Sequence, residues 1–298
     1  VTQHDLAVEA RGTPTGLALY VRRITRRRHG APEAFARRCA DHGLQWIAIG
    51  GPWQERGDDG RVRTRLINPI DVCRRYMDAL AEAGVEPWVW GYPWLGEEEA
   101  FADAMASCAG DHRRAILDPE LGANPSKARR GDGKLAAEAG ARELVGLMAD
   151  RFDACGLSTY GSGVRLKWFP LYAYARALVE RFEGRTFIGG QTYTVDEQAV
   201  DRSTADFARA AERVAGEGWR SKIEVVPNFG TYSRVGGKVR AKSAEELHWH
   251  LSGFVDDGEE IRALIGWAEN FVGREQWKVL ARWADWLHRG ACTLPAVG

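Results

Sequence analysis

Residues 45–53 read QWIAIGGPW and residues 86–94 read EPWVWGYPW. Each is an apolar run of strand length, and each closes on a Pro-Trp pair. Between them, Pro69–Ala83 (PIDVCRRYMDALAEA) carries apolar residues at helical spacing and stops at Gly84. Glycine just past the last turn is a common helix end, because the left-handed backbone is open to it. Strand, helix and strand in this order form a βαβ unit. Strands that are apolar on both faces belong in a parallel sheet covered by helices.

Outward from this unit the alternation continues. Upstream lie the short apolar run Gly16–Arg23 and a helical segment, Pro32–His42, ended by Gly43. Downstream come a helix over Glu97–Ala109, a strand over Arg114–Glu120, a long helix over Lys134–Cys155 and a short strand over Leu157–Tyr160. A helix over Pro170–Phe182, a strand over Arg185–Val195 and a helix over Ser203–Ala215 follow. The last units pair Lys222–Tyr232 with Ala244–Val255, and Ile261–Val272 with Arg274–His288. Eight strand-then-helix units in 298 residues predict an α/β chain folded as a single-domain (β/α)8 TIM barrel. The competitor is an open doubly wound sheet, but no G-x-G-x-x-G opens a helix after the first strand. No linker, repeat or low-complexity tract divides the chain. One domain over 1–298 is expected, with tails at 1–14 and 289–298.

Lysine plus arginine number 41, as do aspartate plus glutamate, so no global charge points to nucleic acid or a membrane surface. Twelve tryptophans and 45% hydrophobic residues provide for a large core. No apolar run approaches the roughly 18 residues of a spanning helix. Residues 1–12 are polar, without a basic-then-apolar secretory signal, which suggests synthesis in the cytoplasm. The cysteines are odd in number (Cys39, Cys73, Cys108, Cys155, Cys292), and four fall inside helical patterns near their C-terminal ends. They read as reduced, semi-buried thiols. No pair has CxxC spacing, so neither a metal nor another cofactor is expected.

Barrels place their chemistry at the C-terminal ends of the strands. In chain order those positions hold Tyr20 and Arg22; Trp53; Trp90, Tyr92 and Trp94; Asp118 and Glu120; Tyr160; Gln191 and Tyr193; Asn228 and Tyr232; then Trp267, Glu269 and Asn270. No histidine, lysine or cysteine is among them, which argues against imidazole-bound metal, a Schiff base or a thiol nucleophile. Carboxylates, amides and aromatic faces remain, and these suit sugar rings. Trp53, Trp90, Tyr92, Trp94, Tyr160, Asn228 and Trp267 are the candidate substrate-binding residues.

Residues 114–120 read RAILDPE, an apolar run ending in two carboxylates around one proline. Side chains alternate with period two, so Asp118 and Glu120 share a face with Cα atoms about 7 Å apart. Glycoside hydrolysis needs one carboxyl as acid and a second group to support the cationic centre. Glu120 is the candidate acid, its pKa raised by aromatic walls and by Asp118. Asp118 would orient the reacting centre. An N-acetyl carbonyl on the substrate could serve as nucleophile, positioned by Asp118, Tyr193 or Gln191. Alternatively, Asp118 caps the next loop and Glu120 pairs with Arg129. Glu269 is a second candidate acid, or else half of a rim salt bridge.

The D-x-E ending the fourth strand resembles glycoside hydrolase family 25 lysozymes and, more distantly, family 18 chitinase-like barrels. Leu157-Ser158-Thr159-Tyr160-Gly161, Trp168-Phe169-Pro170 and Gly190-Gln191-Thr192-Tyr193 are similar to S-x-Y and P-Q-x-Y stretches of phage and bacterial glycosidase-like barrels. The resemblance implies that Glu120 is the acid, and that Asp118 and Tyr193 assist the acetamido group. The first strand departs from family 25 in ending on Tyr20 and Arg22 where an aspartate would stand, and the family 18 D-x-x-D-x-D-x-E run is absent.

Other signals point elsewhere. The run Arg22, Arg23, Arg26, Arg27, Arg28 reads as a solvated loop more readily than as a grip on an anionic glycan or phosphate. Gly236-Gly237-Lys238 reads as a hairpin turn, although many barrels bind phosphate in that region. His248 and His250 lie two apart on a helix and do not face one another. Arg130-Gly131-Asp132 is a polar loop, and Trp277, Trp283 and Trp286 pack the last helix. The sequence therefore predicts a glycosidase for an N-acetylated polysaccharide, peptidoglycan or chitin-like, acting at the cell wall. No nucleic acid or membrane partner is expected. The alternative is a catalytically silent barrel that binds glycan or serves a larger assembly, such as a phage tail or injection device.

Overall fold

The computed structural model describes residues 13–119, 133–160, 169–193, 197–235, 238–254, 261–289 and residue 295. In chain order these form β1 (Gly16–Val21), α1 (Pro32–Asp41), β2 (Trp46–Arg56), β3 (Val62–Leu66), α2 (Ile70–Glu82), β4 (Glu86–Tyr92), α3 (Glu98–Ala109) and β5 (Arg114–Leu117). Next come α4 (Gly133–Ala149), β6 (Ala154–Tyr160), α5 (Leu171–Phe182), β7 (Thr186–Thr192), α6 (Glu197–Ala215), β8 (Glu224–Val225) and β9 (Asn228–Gly230). The chain continues through β10 (Tyr232–Val235), β11 (Lys238–Ala241), α7 (Ala244–Ser252), β12 (Ala263–Trp267) and α8 (Arg274–Arg289). Parallel pairing runs β1-β2-β4-β5-β6-β7-β9-β12 and returns to β1, where Tyr20 pairs with Trp267 and Ala18 with Trp46. The sheet is closed. The protein is the expected single (β/α)8 TIM barrel.

Period-two alternation sorts the strand residues between two cores. Leu17, Leu19, Ile47, Ile49, Val89, Ala115 and Leu117 face outward to the helices. Ala18, Tyr20, Trp46, Ala48, Trp88, Trp90 and Ile116 face inward. Aromatic rings fill the barrel in two layers. Trp46, Trp88 and Phe187 meet in the lower one, with centroids 5.7–6.1 Å apart. Tyr20, Trp90 and Trp267 meet in the upper one at 5.0–5.7 Å. Gly156 leaves the room that the Phe187 ring occupies.

Several expected boundaries move, each because pairing overrides local pattern. The helix expected to run through Cys155 ends at Ala149, and β6 begins at Ala154 because residues 154–157 pair with Arg114–Leu117. Cys155 therefore lies in a strand, and Cys73 lies in the first turn of α2, not near helix C-terminal ends as expected. Cys39, Cys73, Cys108 and Cys155 are free thiols and fully buried, whereas Cys292 lies outside the described residues. The seventh barrel strand is split into β8 and β9, since Pro227 between them lacks a ladder donor. Thr186–Thr192 still spans both pieces, pairing Phe187 with Glu224 and Gln191 with Asn228.

Two hairpins rise above the barrel. β2 continues past its barrel portion and pairs antiparallel with β3, from Pro52 opposite Leu66 to Arg56 opposite Val62. β10 and β11 pair antiparallel, with Val235 opposite Lys238; Gly236 and Gly237 themselves lie outside the described residues. α7 starts on a capping box in which Ser243 Oγ accepts from Glu246 N–H at 3.1 Å and Glu246 accepts from Ser243 N–H at 2.7 Å. Trp277 and Trp283 of α8 are buried against the barrel. No described helix is long and apolar enough to cross a membrane.

The closest backbone approach gives a stability test. A β-carbon on Gly189 would collide with the Val226 carbonyl, whereas one on Gly146 in α4 would meet open space. Gly189→Ala is expected to cost ~3 kcal/mol or more, because the strand must move to admit it. Gly146→Ala is expected to add up to ~1 kcal/mol from helix propensity. Urea unfolding of the two variants measures both, and equal midpoints would refute the packing argument.

Candidate functional site

A cavity of about 800 Å³ opens at the C-terminal ends of the strands. Trp90 and Trp267 from the upper aromatic layer form part of its wall. Trp53, Tyr92 and Trp94 line one side, from the ends of β2 and β4. Gln191, Tyr193 and Tyr232 come from the ends of β7 and β9, and Asp118 from just beyond β5. The strand ends that the sequence predicted to gather residues do so here.

Asp118 reaches the cavity because it continues the inward face of Ile116. It is only 5% exposed. Its backbone N–H donates to the Gly91 carbonyl at 2.9 Å, which extends the β4–β5 ladder one residue beyond the strand. Gln191 Nε2 donates to Asp118 Oδ1 at 2.8 Å and lies 3.3 Å from Ser158 Oγ. The Gln191 amide thus holds this carboxylate oxygen in place. Burial, and then the charge of Asp118, push the Tyr20 hydroxyl well above its ordinary pKa. Tyr20 therefore stays protonated beside the carboxylate, and its hydroxyl lies 3.4 Å from Asn228 Oδ1.

The remaining candidates divide. Tyr160 pairs with Gln191 in the β6–β7 register, is half-buried and does not line the described wall. Asn228 is fully buried beneath the cavity. Glu269 stands apart, in a separate recess with Arg22, Arg23 and Phe271. It is 4% exposed, its Oε2 sits 3.0 Å from His29 Nε2, and Arg38 lies 3.9 Å from its other oxygen. Of the two roles open to Glu269 in the sequence, the structure displays the salt bridge. Glu120, Arg129, Trp168 and the Arg130-Gly131-Asp132 loop lie outside the described residues.

Sequence reading missed several contributors. Gln54 is 1% exposed and ties the β2–β3 hairpin to the β4–α3 loop. Its Nε2 donates to Thr64 Oγ1 and the Glu97 carbonyl, both at 2.9 Å, and its Oε1 accepts from Trp94 N–H at 2.7 Å. That brace fixes the hairpin that carries Trp53 against the loop that carries Trp94. Lys242 is another. It is buried, and its Nζ donates to the carbonyls of Gly230 at 2.7 Å and Tyr193 at 3.2 Å, pinning the backbone that carries Tyr193. Burial pulls the Lys242 pKa down to about 8, partly offset by Glu246. Both residues sit in hairpin or loop segments whose partners are distant in sequence, so no local pattern announces them. Among the described residues no cluster of three histidine, cysteine, aspartate or glutamate side chains could hold a metal ion.

No family model matches the sequence, and no curated relative was found. Solved structures do match. The spore cortex-lytic enzyme SleL of Bacillus cereus superposes with a TM-score of 0.55 at 10% identity, covering 90% of this chain and 74% of that one. A GH18 chitinase from Pseudoalteromonas aurantia gives 0.59 at 7% identity, covering 93% and 100%. Active domain 2 of a thermostable chitinase from Pyrococcus furiosus gives 0.57 at 10% identity, covering 94% and 97%. At such identities the likeness is one of fold. What is shared is the closed (β/α)8 barrel, and nothing in the likeness points to family 25 in particular.

Two stability experiments test the buried charges. Glu269→Ala leaves His29 without its carboxylate and is expected to cost ~3 kcal/mol in urea unfolding; wild-type stability would show that the pair holds nothing. Lys242 keeps its proton to an ordinary pKa near 10.5 when unfolded but only to about 8 when folded. Between those values the unfolded chain binds more protons, so this group makes stability rise with pH. The stability of wild type relative to Lys242→Met should therefore climb from pH 8 to pH 10, and a flat difference would refute the assignment.

Proposed function

We propose that this barrel is a glycoside hydrolase that cleaves an N-acetylated polysaccharide, with a carboxyl group as general acid. The observation that carries the reading is Asp118, an inward-facing carboxylate steadied by Gln191 at the wall of an aromatic cavity. Indole and phenol faces stack on the C–H faces of sugars, and buried polar atoms beside them fix the hydroxyls and amides. Among the described residues, the Nε1 atoms of Trp90 and Trp94 are buried without an acceptor, although both residues line the cavity. A hydroxyl-rich ligand would supply acceptors for them.

In the proposed reaction Glu120, two residues beyond Asp118 in the sequence, gives its proton to the glycosidic oxygen as the bond to the anomeric carbon breaks. The acetamido oxygen of the same sugar closes on that carbon, and Asp118 accepts the acetamido N–H and supports the cyclic cation. Water then adds at the anomeric carbon, the acetamido group reopens, and the proton from the water returns to Glu120. Tyr193, which lines the same cavity, is the phenol that would orient the acetamido carbonyl. Two of the fold neighbours are chitinases and a third is a cortex-lytic enzyme. Those names favour chitin or peptidoglycan, and with them action at a cell wall.

The test is release of reducing ends from chitin oligomers and from purified peptidoglycan. Wild type should act on at least one, and Glu120→Gln should lower the rate by roughly two to four powers of ten. Asp118→Asn should lower kcat more than it changes KM, since it acts on the charged intermediate. Undiminished rates in both variants would dismiss these roles. Glycan binding without turnover in the wild type would leave a silent, glycan-binding barrel.

A further inference from the structure

Arg22 and Arg23 are the feature that the proposed chemistry leaves unused. Both side chains are exposed, and both line the main cavity as well as the recess beside it. Several other arginines of this protein are matched by a carboxylate. Arg63 pairs with Asp59 at 2.6 Å, Arg113 with Asp153 at 3.1 Å and Arg151 with Asp103 at 2.6 Å. On the same cavity rim, Arg65 neutralises Glu55. Arg22 and Arg23 meet no acceptor among the described residues. The chain is neutral overall, so the pair is a local excess and not part of a general basic surface.

The backbone that presents them is held firmly, unlike that of a solvated loop. Asn68, 1% exposed, donates from Nδ2 to the Arg22 carbonyl at 2.9 Å and to the Gly50 carbonyl at 2.8 Å. Its Oδ1 accepts from Ile24 N–H at 2.8 Å. One buried amide therefore grips the backbone on both sides of Arg23, at the Arg22 carbonyl and the Ile24 N–H, and ties this stretch to β2. Gly50 lets β2 come this close, since a β-carbon there would collide with the Arg22 carbonyl. The arginines extend from β1 and Asp118 from beyond β5, three strands away around the barrel. A chain of sugars lying across the mouth would meet the carboxylate on one side and the guanidinium pair on the other.

We propose that Arg22 and Arg23 form a subsite for a carboxylate carried by the glycan, so that the preferred substrate is an acidic N-acetylated polysaccharide and not a neutral one. The identity of the ligand as a glycan rests on the glycosidase reading above. Guanidinium groups bind carboxylates through paired charge-assisted hydrogen bonds, the geometry for which arginine is better suited than lysine. Against the cavity stand two negative side chains, Asp118 and the already paired Glu55. The subsite thus keeps its positive excess on the β1 side.

The experiment compares two ligands with one backbone: peptidoglycan glycan strands stripped of their peptides, and the same strands with the lactyl carboxyl reduced to an alcohol. Binding is measured by calorimetry on the intact protein, and hydrolysis is followed in parallel. Wild type should bind the acidic strands roughly ten-fold more tightly or better. The ratio should shrink as salt rises from 50 to about 500 mM. Arg22→Gln/Arg23→Gln should bring the ratio near one, and Arg22→Glu/Arg23→Glu should invert it. Both arginines are exposed, and circular dichroism of each double variant checks that it folds as wild type does. Equal affinity for the two strands, failure to bind either, or a preference that survives in the double variants overturns the subsite. An acidic preference without hydrolysis of any glycan upholds the subsite while refuting the glycosidase.

Discussion

Closure of the sheet governs everything above it. A closed parallel barrel has no edge, so every strand residue must face either the helices or the interior. The interior must then be filled to the density of a solid. This chain fills it with aromatic rings. Trp46, Trp88 and Phe187 occupy the lower layer and Tyr20, Trp90 and Trp267 the upper. The upper rings belong to both the core and the cavity wall, so the wall inherits the rigidity of the core. A binding surface built in this way does not depend on loops for its shape.

Asp118 and Glu269 are both acids just beyond strand ends and both nearly buried, yet the fold sets them in different places, Asp118 at the wall of the main cavity and Glu269 in the recess beside it. A buried carboxylate must be compensated or used. Glu269 is compensated by His29 at 3.0 Å, with Arg38 further off. Asp118 Oδ1 accepts from the Gln191 amide at 2.8 Å, and its own N–H extends the β4–β5 ladder. Amide donors hold a carboxylate in place and leave its charge available. At Glu269 the His29 ring at 3.0 Å and Arg38 at 3.9 Å hold the carboxylate in its own recess, away from the main cavity. The distinction turns on which neighbour the fold delivers, and the two neighbours lie 73 and 240 residues away in sequence.

Supports of the cavity follow the same logic. Gln54 ties the Trp53 hairpin to the Trp94 loop, Asn68 fixes the exit of β1, and Lys242 pins the Tyr193 backbone. Each is a buried polar side chain satisfied by backbone groups of another element. Such groups are costly unless paired, so each is a point where the fold admits one arrangement. They surround the cavity on three sides. The surface between them is correspondingly fixed in position and open in chemistry.

The sequence by itself determined the architecture, because hydrophobic periodicity is a local property. Residues 45–53 and 86–94 announce buried strands, and the glycine after each early helix announces its end. Eight repeats of that cycle leave few topologies besides the barrel. The strand-top inventory followed from the same parity, which placed Trp53, Trp90, Tyr92, Trp94, Asp118, Gln191, Tyr193 and Trp267 around one cavity. Boundaries were less legible where pairing overrode local preference. Ala154 and Cys155 complete a helical pattern but join β6 because Arg114 and Ala115 offer a ladder. Only the tertiary structure decided the partners. It gave Asp118 to Gln191, Glu269 to His29, and left Arg22 and Arg23 facing the cavity on a backbone clamped by Asn68. Charge and hydrogen bonding act through space over a few ångströms, and spacing along the chain does not encode which distant groups will come that close.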